Sequence, residues 1–191
     1  MLRNMIELSN GYFHCGRSAI FLICLSYFLV LAGACRISSA PTEVFVLSDG
    51  FKGGVVIVFD QPDGIIPEIK DGFVVYAIPD TGVLKVRSKA TRKSAGTLYY
   101  YVRGDALVPV EYVDHWGQDR KSLENLTEDE KKDGVFVFND GGIGTFNVGN
   151  RVISYRSFLV CSPTDKAKTY DSMMQKVFQI ERDLGSKNGL L

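Results

Sequence analysis

Between residues 42 and 162 the chain repeats one grammar: short runs rich in Val, Ile, Phe and Tyr, broken by clusters of Gly, Pro, Asn and Asp. β-branched and aromatic side chains fit a pleated, half-buried surface, and the punctuating residues fit tight turns. The runs fall at 43–47, 54–59, 73–78, 82–87, 97–103, 107–113, 134–138, 144–148 and 151–161. Spacings of roughly 10–15 residues and short turns favour antiparallel pairing in a sandwich over helix-linked parallel strands. VVIVF at 55–59 is apolar on both faces and therefore belongs in the middle of a sheet. DQPDG at 60–64 places Pro62 and Gly64 as the second and fourth residues of a type I turn. IPDTG at 78–82 has the same form, with Pro79 fixing the backbone and Asp80 able to bond it locally, and NDGG at 139–142 suits positive backbone angles. YYYVR at 99–103 puts Tyr99 and Tyr101 on one face and Tyr100 on the other, which makes the first two an aromatic candidate for binding.

One segment departs from this grammar. Residues 114–133 hold 11 charged side chains and only three large apolar ones, Trp116, Leu123 and Leu126. They read as a charged surface excursion with a short helix around 122–132. Long loops on rigid sheets often carry binding residues, so Trp116 joins the candidates. The chain then closes with a helix over 163–184. Ser162 is its N-cap, Pro163 occupies the first helical position, and Asp165 stands three residues after the cap. Tyr170, Met173, Met174, Val177, Phe178, Ile180 and Leu184 fall within about 160° of its circumference, a stripe for packing on a sheet, and Gly185 is placed to end it.

Ahead of the strands, residues 18–34 carry no charge, with Arg3 and Arg17 before them and Ala32-Gly33-Ala34 at the end. A basic start, an apolar core and small residues at the cut define a signal helix, here residues 1–34. The alternative is an uncut single-pass signal anchor, although about 17 apolar residues is at the low end for spanning hydrocarbon. LAGAC at 31–35 resembles the lipobox of bacterial lipoproteins, in which small residues precede a cysteine that is lipidated and becomes the new N-terminus. That resemblance implies a lipid on Cys35 and a polar tether over 35–42. Arg36 follows it, not the aspartate that resembles an inner-membrane retention signal of Gram-negative bacteria, so an outer membrane is preferred to the cell membrane where one exists.

The remaining cysteines are then accounted for. Cys15 and Cys24 leave with the signal, and Cys161, inside SFLVC, is a small buried hydrophobe. A Cys35–Cys161 disulfide requires an unlipidated Cys35.

VLSDGFKGGVVIVFDQPDG followed by VVYAIPDTGVL resembles a domain of unknown function found in bacterial secreted proteins and lipoproteins, over about residues 43–103. The resemblance implies an extracytoplasmic β domain and transfers no catalytic residues. Overall the chain reads as mainly β. It is an antiparallel, sandwich-like single domain over 43–191, with one C-terminal amphipathic helix packed on it and a signal helix in front.

Function is narrower in what it excludes. With 22 basic and 22 acidic residues, no field advertises a nucleic-acid partner. Past residue 34 the chain has one histidine, His115, which leaves no Cys/His set for zinc. Asp60, Asp63, Asp71 and Asp80 have no EF-hand spacing, and GGIGTFNVG at 141–149 lacks the lysine and the helix of a phosphate loop. No metal and no cofactor are expected. Asp114 and His115, with Ser122 or Ser157, are the weak catalytic candidates. Neighbours on an extended chain point apart, however, and no Gly-x-Ser-x-Gly elbow occurs. The expectation is an envelope lipoprotein, held to the membrane by its lipid, with a non-enzymatic binding or structural role. The alternatives are an extracytoplasmic hydrolase using His115, or an accessory or inhibitor domain for another envelope protein. Oligomeric state is not fixed by the sequence.

Overall fold

The computed structural model describes residues 40–91, 94–113, 122–139 and 142–187, and within them ten strands form two sheets. The first sheet contains β1 (Thr42–Ser48), β3 (Glu68–Lys70), β4 (Phe73–Ala77), β6 (Gly96–Arg103) and β7 (Ala106–Pro109), in the order β3-β4-β1-β6-β7. The second contains β2 (Gly53–Val58), β5 (Val83–Lys85), β8 (Phe136–Phe138), β9 (Ile143–Val148) and β10 (Arg151–Cys161). Its order is β5-β2-β10-β8, with β9 pairing the first half of β10. The helix α2 (Lys166–Lys187) covers the outer face of the second sheet, and a short helix α1 (Glu128–Asp133) lies in the charged excursion. Ala40–Leu191 form one compact unit.

The mainly β architecture with a C-terminal helix is as expected, but the pairing is mixed and not antiparallel throughout. β1 runs parallel to both β4 and β6, and β2 runs parallel to β5. The chain alternates between sheets as it advances, so β2 and β5 serve as the crossovers that helices provide elsewhere. Strand spacing cannot reveal this, because the links from β1 to β2 (residues 49–52) and from β4 to β5 (residues 78–82), which change sheets, are as short as hairpin loops.

Two apolar layers result. Phe45, Leu47, Tyr76 and Tyr99 from the first sheet meet Val55, Ile57, Phe158 and Val160 from the second. On the other side of the second sheet, Val56, Val58, Leu159 and Cys161 pack against Met173, Val177 and Ile180 of α2. β2 lies in the middle layer, which is why VVIVF carries no polar residue: every side chain from Val55 to Val58 is fully buried. The helix approaches this strand closely. A Cβ on Gly54 would fall 2.3 Å from the Cβ of Met173, so only glycine fits there. Lys176 bonds the same corner, its Nζ donating to the carbonyls of Gly54 (3.0 Å) and Thr81 (2.8 Å). Burial lowers its pKa from the ordinary lysine value.

Several local expectations meet their physical limits. Gly64 N–H donates to Gln61 O (2.9 Å) and Gly82 N–H to Pro79 O (2.8 Å), closing the two Pro/Gly turns. Asp80 bonds Ser48 Oγ (2.6 Å) and not its own backbone. The strand expected over 107–113 stops at Pro109, because proline cannot donate to a ladder; the chain then crosses over, and Tyr112 bridges Val137 of the second sheet. The three-residue β3 at the edge was not foreseen. Ser162 does cap the C-terminal helix, accepting from Asp165 N–H (3.3 Å), but its first turn is a 3-10 turn and the helix continues through Gly185 to Lys187. Its buried stripe is narrower than the pattern implied: Tyr170 and Phe178 are exposed, Phe178 lying about 140° round the helix from Met173. In the excursion, Thr127 and Glu130 form a reciprocal capping box, and Leu126 is buried in the second core cluster.

Candidate functional site

The sandwich holds a polar cluster at one end of its inter-sheet layer. β1, β4 and β6 place Glu43, Tyr76 and Thr97 on the inner face of the first sheet, and β10 places Arg156 opposite them. Arg156 Nη1 pairs with Glu43 Oε2, and its Nη2 donates to Thr97 Oγ1 (3.1 Å). Tyr76 donates from its hydroxyl to Glu43 Oε1 (3.4 Å). The guanidinium also sits 5.0 Å from the Phe45 ring centroid. Side-chain exposure is 4% for Glu43 and 13% for Arg156. Burial, and next the Glu43 carboxylate, push the Tyr76 hydroxyl up to about 12. The carboxylate is held by both a cation and a phenol, out of contact with solvent. Chemically this is a clamp between sheets, not a reactive centre.

An open site lies at the edge of the first sheet. Where β7 ends at Pro109, the departing chain separates from β6 and leaves a cleft of ≈ 380 Å³ between residues 97–100 and 109–112. β7 pairs only with Tyr100–Arg103, and Val110 N–H donates to Tyr99 O (2.9 Å). Beyond that point the outer edge of β6 at Gly96–Leu98 has no strand beside it among the described residues. Leu98 is 39% exposed, and Tyr100, Glu111 and Tyr112 complete the walls. The cleft thus offers a short open stretch of strand edge centred on Thr97, beside apolar and aromatic walls; at its end Gly96 N–H donates to Ser94 Oγ (3.3 Å), which in turn donates to Gly96 O (2.7 Å).

The sequence candidates scatter with respect to this cleft. Tyr99 borders it, but its ring is buried, stacked on Phe45 with centroids 5.6 Å apart and edge-on to Phe158 at 5.2 Å. Tyr101 lies outside it, half-buried, with its hydroxyl donating to Phe51 O (2.7 Å) and its pKa raised to about 12 by burial first and by Asp49 next. The alternation of YYYVR was legible, but its paired face is the core, and Tyr100, the odd one out, reaches the cleft. Ser157 pairs Val56 within the second sheet. Cys35, Asp114, His115 and Trp116 lie outside the described residues. Of the considered aspartates, Asp63 pairs with Lys85 (3.0 Å) and Asp80 with Ser48, and among the described residues no three metal-ligating side chains converge. Cys161 is 2% exposed and burial raises its pKa, so it behaves as an apolar core residue. Residues Leu98, Glu111 and Tyr112 had no sequence signal as a group. Pro109 was the available clue, since it ends a strand and forces the chain off the edge.

Fold and cleft together describe a mainly β, two-sheet domain with one covering helix and an open strand edge. Residues 39–106 match the model of a family of unknown function (DUF6843), a span that takes in β1 to β6 and stops at the first residue of β7. Among solved structures the chain is similar to that of a candidate lipoprotein from Bacillus anthracis. The two are 12% identical, the likeness covers 74% of this chain and 96% of that one, and the TM-score is 0.49. No curated protein matches. Among the described residues no helix is long and apolar enough to cross a membrane.

Proposed function

We propose that this protein is an envelope lipoprotein, tethered through a lipid on Cys35, whose β domain is a non-enzymatic binding module with the β6 cleft as its site. The observation that carries this reading is the junction of address and fold: LAGAC ends at Cys35, and the compact unit begins at Ala40. A diacylated cysteine gives the stable, two-chain anchoring that a single acyl chain does not. The seven residues 36–42 reach at most about 25 Å, so the domain works close to its membrane. The cleft fits an extended polypeptide segment, which can add to the unpaired edge of β6 while its side chains meet Leu98, Tyr100 and Tyr112. An envelope protein with an exposed extended segment is the partner class. Intact mass of the membrane-extracted protein tests the anchor: residues 35–191 plus acyl groups is expected, and a full-length mass refutes it. In cells, a photo-crosslinker replacing Leu98 should yield a discrete protein adduct that the same group at exposed Phe178 does not; equal adducts at both positions discard the cleft.

A further inference from the structure

The tether enters the domain at a chemically distinct end. Thr42, the first residue of β1, lies beside Phe73 of β4 and Gly96 of β6. Lys70 of β3 pairs with Phe73 across the turn at Asp71-Gly72. Pro41, the last tether residue before the sheet, accepts from Ala95 N–H (3.2 Å), which ties the 87–95 connection to the same end. Arg87 N–H in turn donates to Ile65 O (2.8 Å), bringing the segment before β3 alongside.

Two properties coincide there. Ile66 is 73% exposed, Ile69 77% and Phe73 38%, although side chains of this size are normally the first to be covered. Around them stand the exposed cations Lys70, Arg87 and Lys89, and the sequence from Val86 to Ala95, VRSKATRKSA, holds four basic residues and no acid. The exposed carboxylates at this end are Glu68 and Asp71 on the β3–β4 hairpin, Asp60, whose N–H donates to Ser88 O (2.9 Å), and Asp63, which pairs with Lys85 (3.0 Å). At the far end of the same sheet, exposed Val102 and Leu107 have Asp105 between them, with the Asp49–Arg103 ion pair alongside. Apolar tips beside an acid-free basic connection are the pattern of a surface that enters a headgroup layer, and each basic residue near an anionic leaflet adds to the attraction.

We infer that the tether end of the domain seats on an anionic bilayer surface, with Ile66, Ile69 and Phe73 entering the headgroup layer and Lys70, Arg87 and Lys89 meeting lipid phosphates. This rests on the tether reading above and adds an orientation to it: the domain is held against the leaflet with the β6 cleft at a fixed height, not left to tumble on its linker. The short tether supplies the high local concentration that makes a weak surface contact persistent.

The test uses the full chain extracted with its anchor and reconstituted into phosphatidylcholine vesicles with or without phosphatidylglycerol. A benzoylphenylalanine photo-crosslinker replaces Ile66, Phe73, Val102 or Leu107 in turn. Lipid adducts are expected at Ile66 and Phe73, at least about threefold more with phosphatidylglycerol present, and none above background at Val102 and Leu107. Lys70→Glu with Lys89→Glu should bring the labelling down to the phosphatidylcholine level while leaving the far-ultraviolet circular dichroism unchanged. Equal labelling of both ends, no lipid adduct at Ile66 and Phe73, or adducts to a second copy of the chain overturn the inference. Intact mass of the same sample separates the two readings. An acylated chain without lipid adducts fails the docking alone, and an unacylated chain that still labels at Ile66 and Phe73 fails the anchor alone.

Discussion

The clamp between the sheets gives the sharpest stability prediction. Glu43→Gln removes the charge while keeping the side chain's shape and its ability to meet Tyr76. With exposures of 4% and 13%, the pair is largely dry, so the substitution leaves the Arg156 guanidinium with a neutral amide in place of the Glu43 counter-charge. Breaking such a pair from one side costs about 3–5 kcal/mol, and the retained contacts to Thr97 and the Phe45 ring place this case near about 3 kcal/mol. That is a large part of the roughly 5–15 kcal/mol that holds a domain together, and for one of about 150 residues it lowers Tm by roughly 6–12 °C. Replacing both residues, Glu43→Leu with Arg156→Met, removes the desolvation cost as well and should return to within about 1.5 kcal/mol of the parent. Urea unfolding of the purified protein, followed by far-ultraviolet circular dichroism at low and high salt, reads all three. A Glu43→Gln loss under about 1 kcal/mol, or one that shrinks markedly with salt, would refute the picture of a dry clamp.

Two further outcomes follow from named contacts. Gly54→Ala sets a methyl into the Cβ of Met173 at 2.3 Å and must push α2 off the sheet. A loss of about 1–3 kcal/mol is expected in the same unfolding assay, with the companion Met173→Gly change recovering part of it; an additive pair would show that the two sites do not touch. Tyr76 and Tyr101 ionise near 12 in the folded chain against about 10 unfolded, so above pH 10 the unfolded state gives up its protons first. Stability is therefore full below pH 10 and falls between about pH 10 and 12, and Tyr76→Phe should make that fall shallower; an unchanged slope contradicts the buried phenol.

Much of the domain could be read from local pattern. VVIVF could only be a strand covered on both faces, and it is the centre of the middle layer. The Pro62/Gly64 and Pro79/Gly82 turns closed where their residue types allow few other backbones. Ser162 capped its helix because its hydroxyl oxygen accepts from Asp165 N–H, which its own carbonyl also accepts. The cleft was not legible in this way. Its walls come from residues 97–100 and 109–112, and nothing in either run marks it as facing the other until the chain leaves β6 at Pro109.

What the sequence alone determined is therefore what neighbours along the chain can enforce: most of the strands though not the short β3, where they turn, which faces are apolar, and the small-residue cysteine junction before residue 36. What only the tertiary structure decided is partnership. Side-chain alternation is the same for parallel and antiparallel strands, so it could not say that β1 lies parallel to β4 and β6. Nor could it say that Glu43 and Arg156, 113 residues apart, share one dry space. It also could not say that Tyr99 faces the core while Tyr100 faces the cleft. Each of these depends on which surface another segment covers, and that is settled by burial of the whole chain at once.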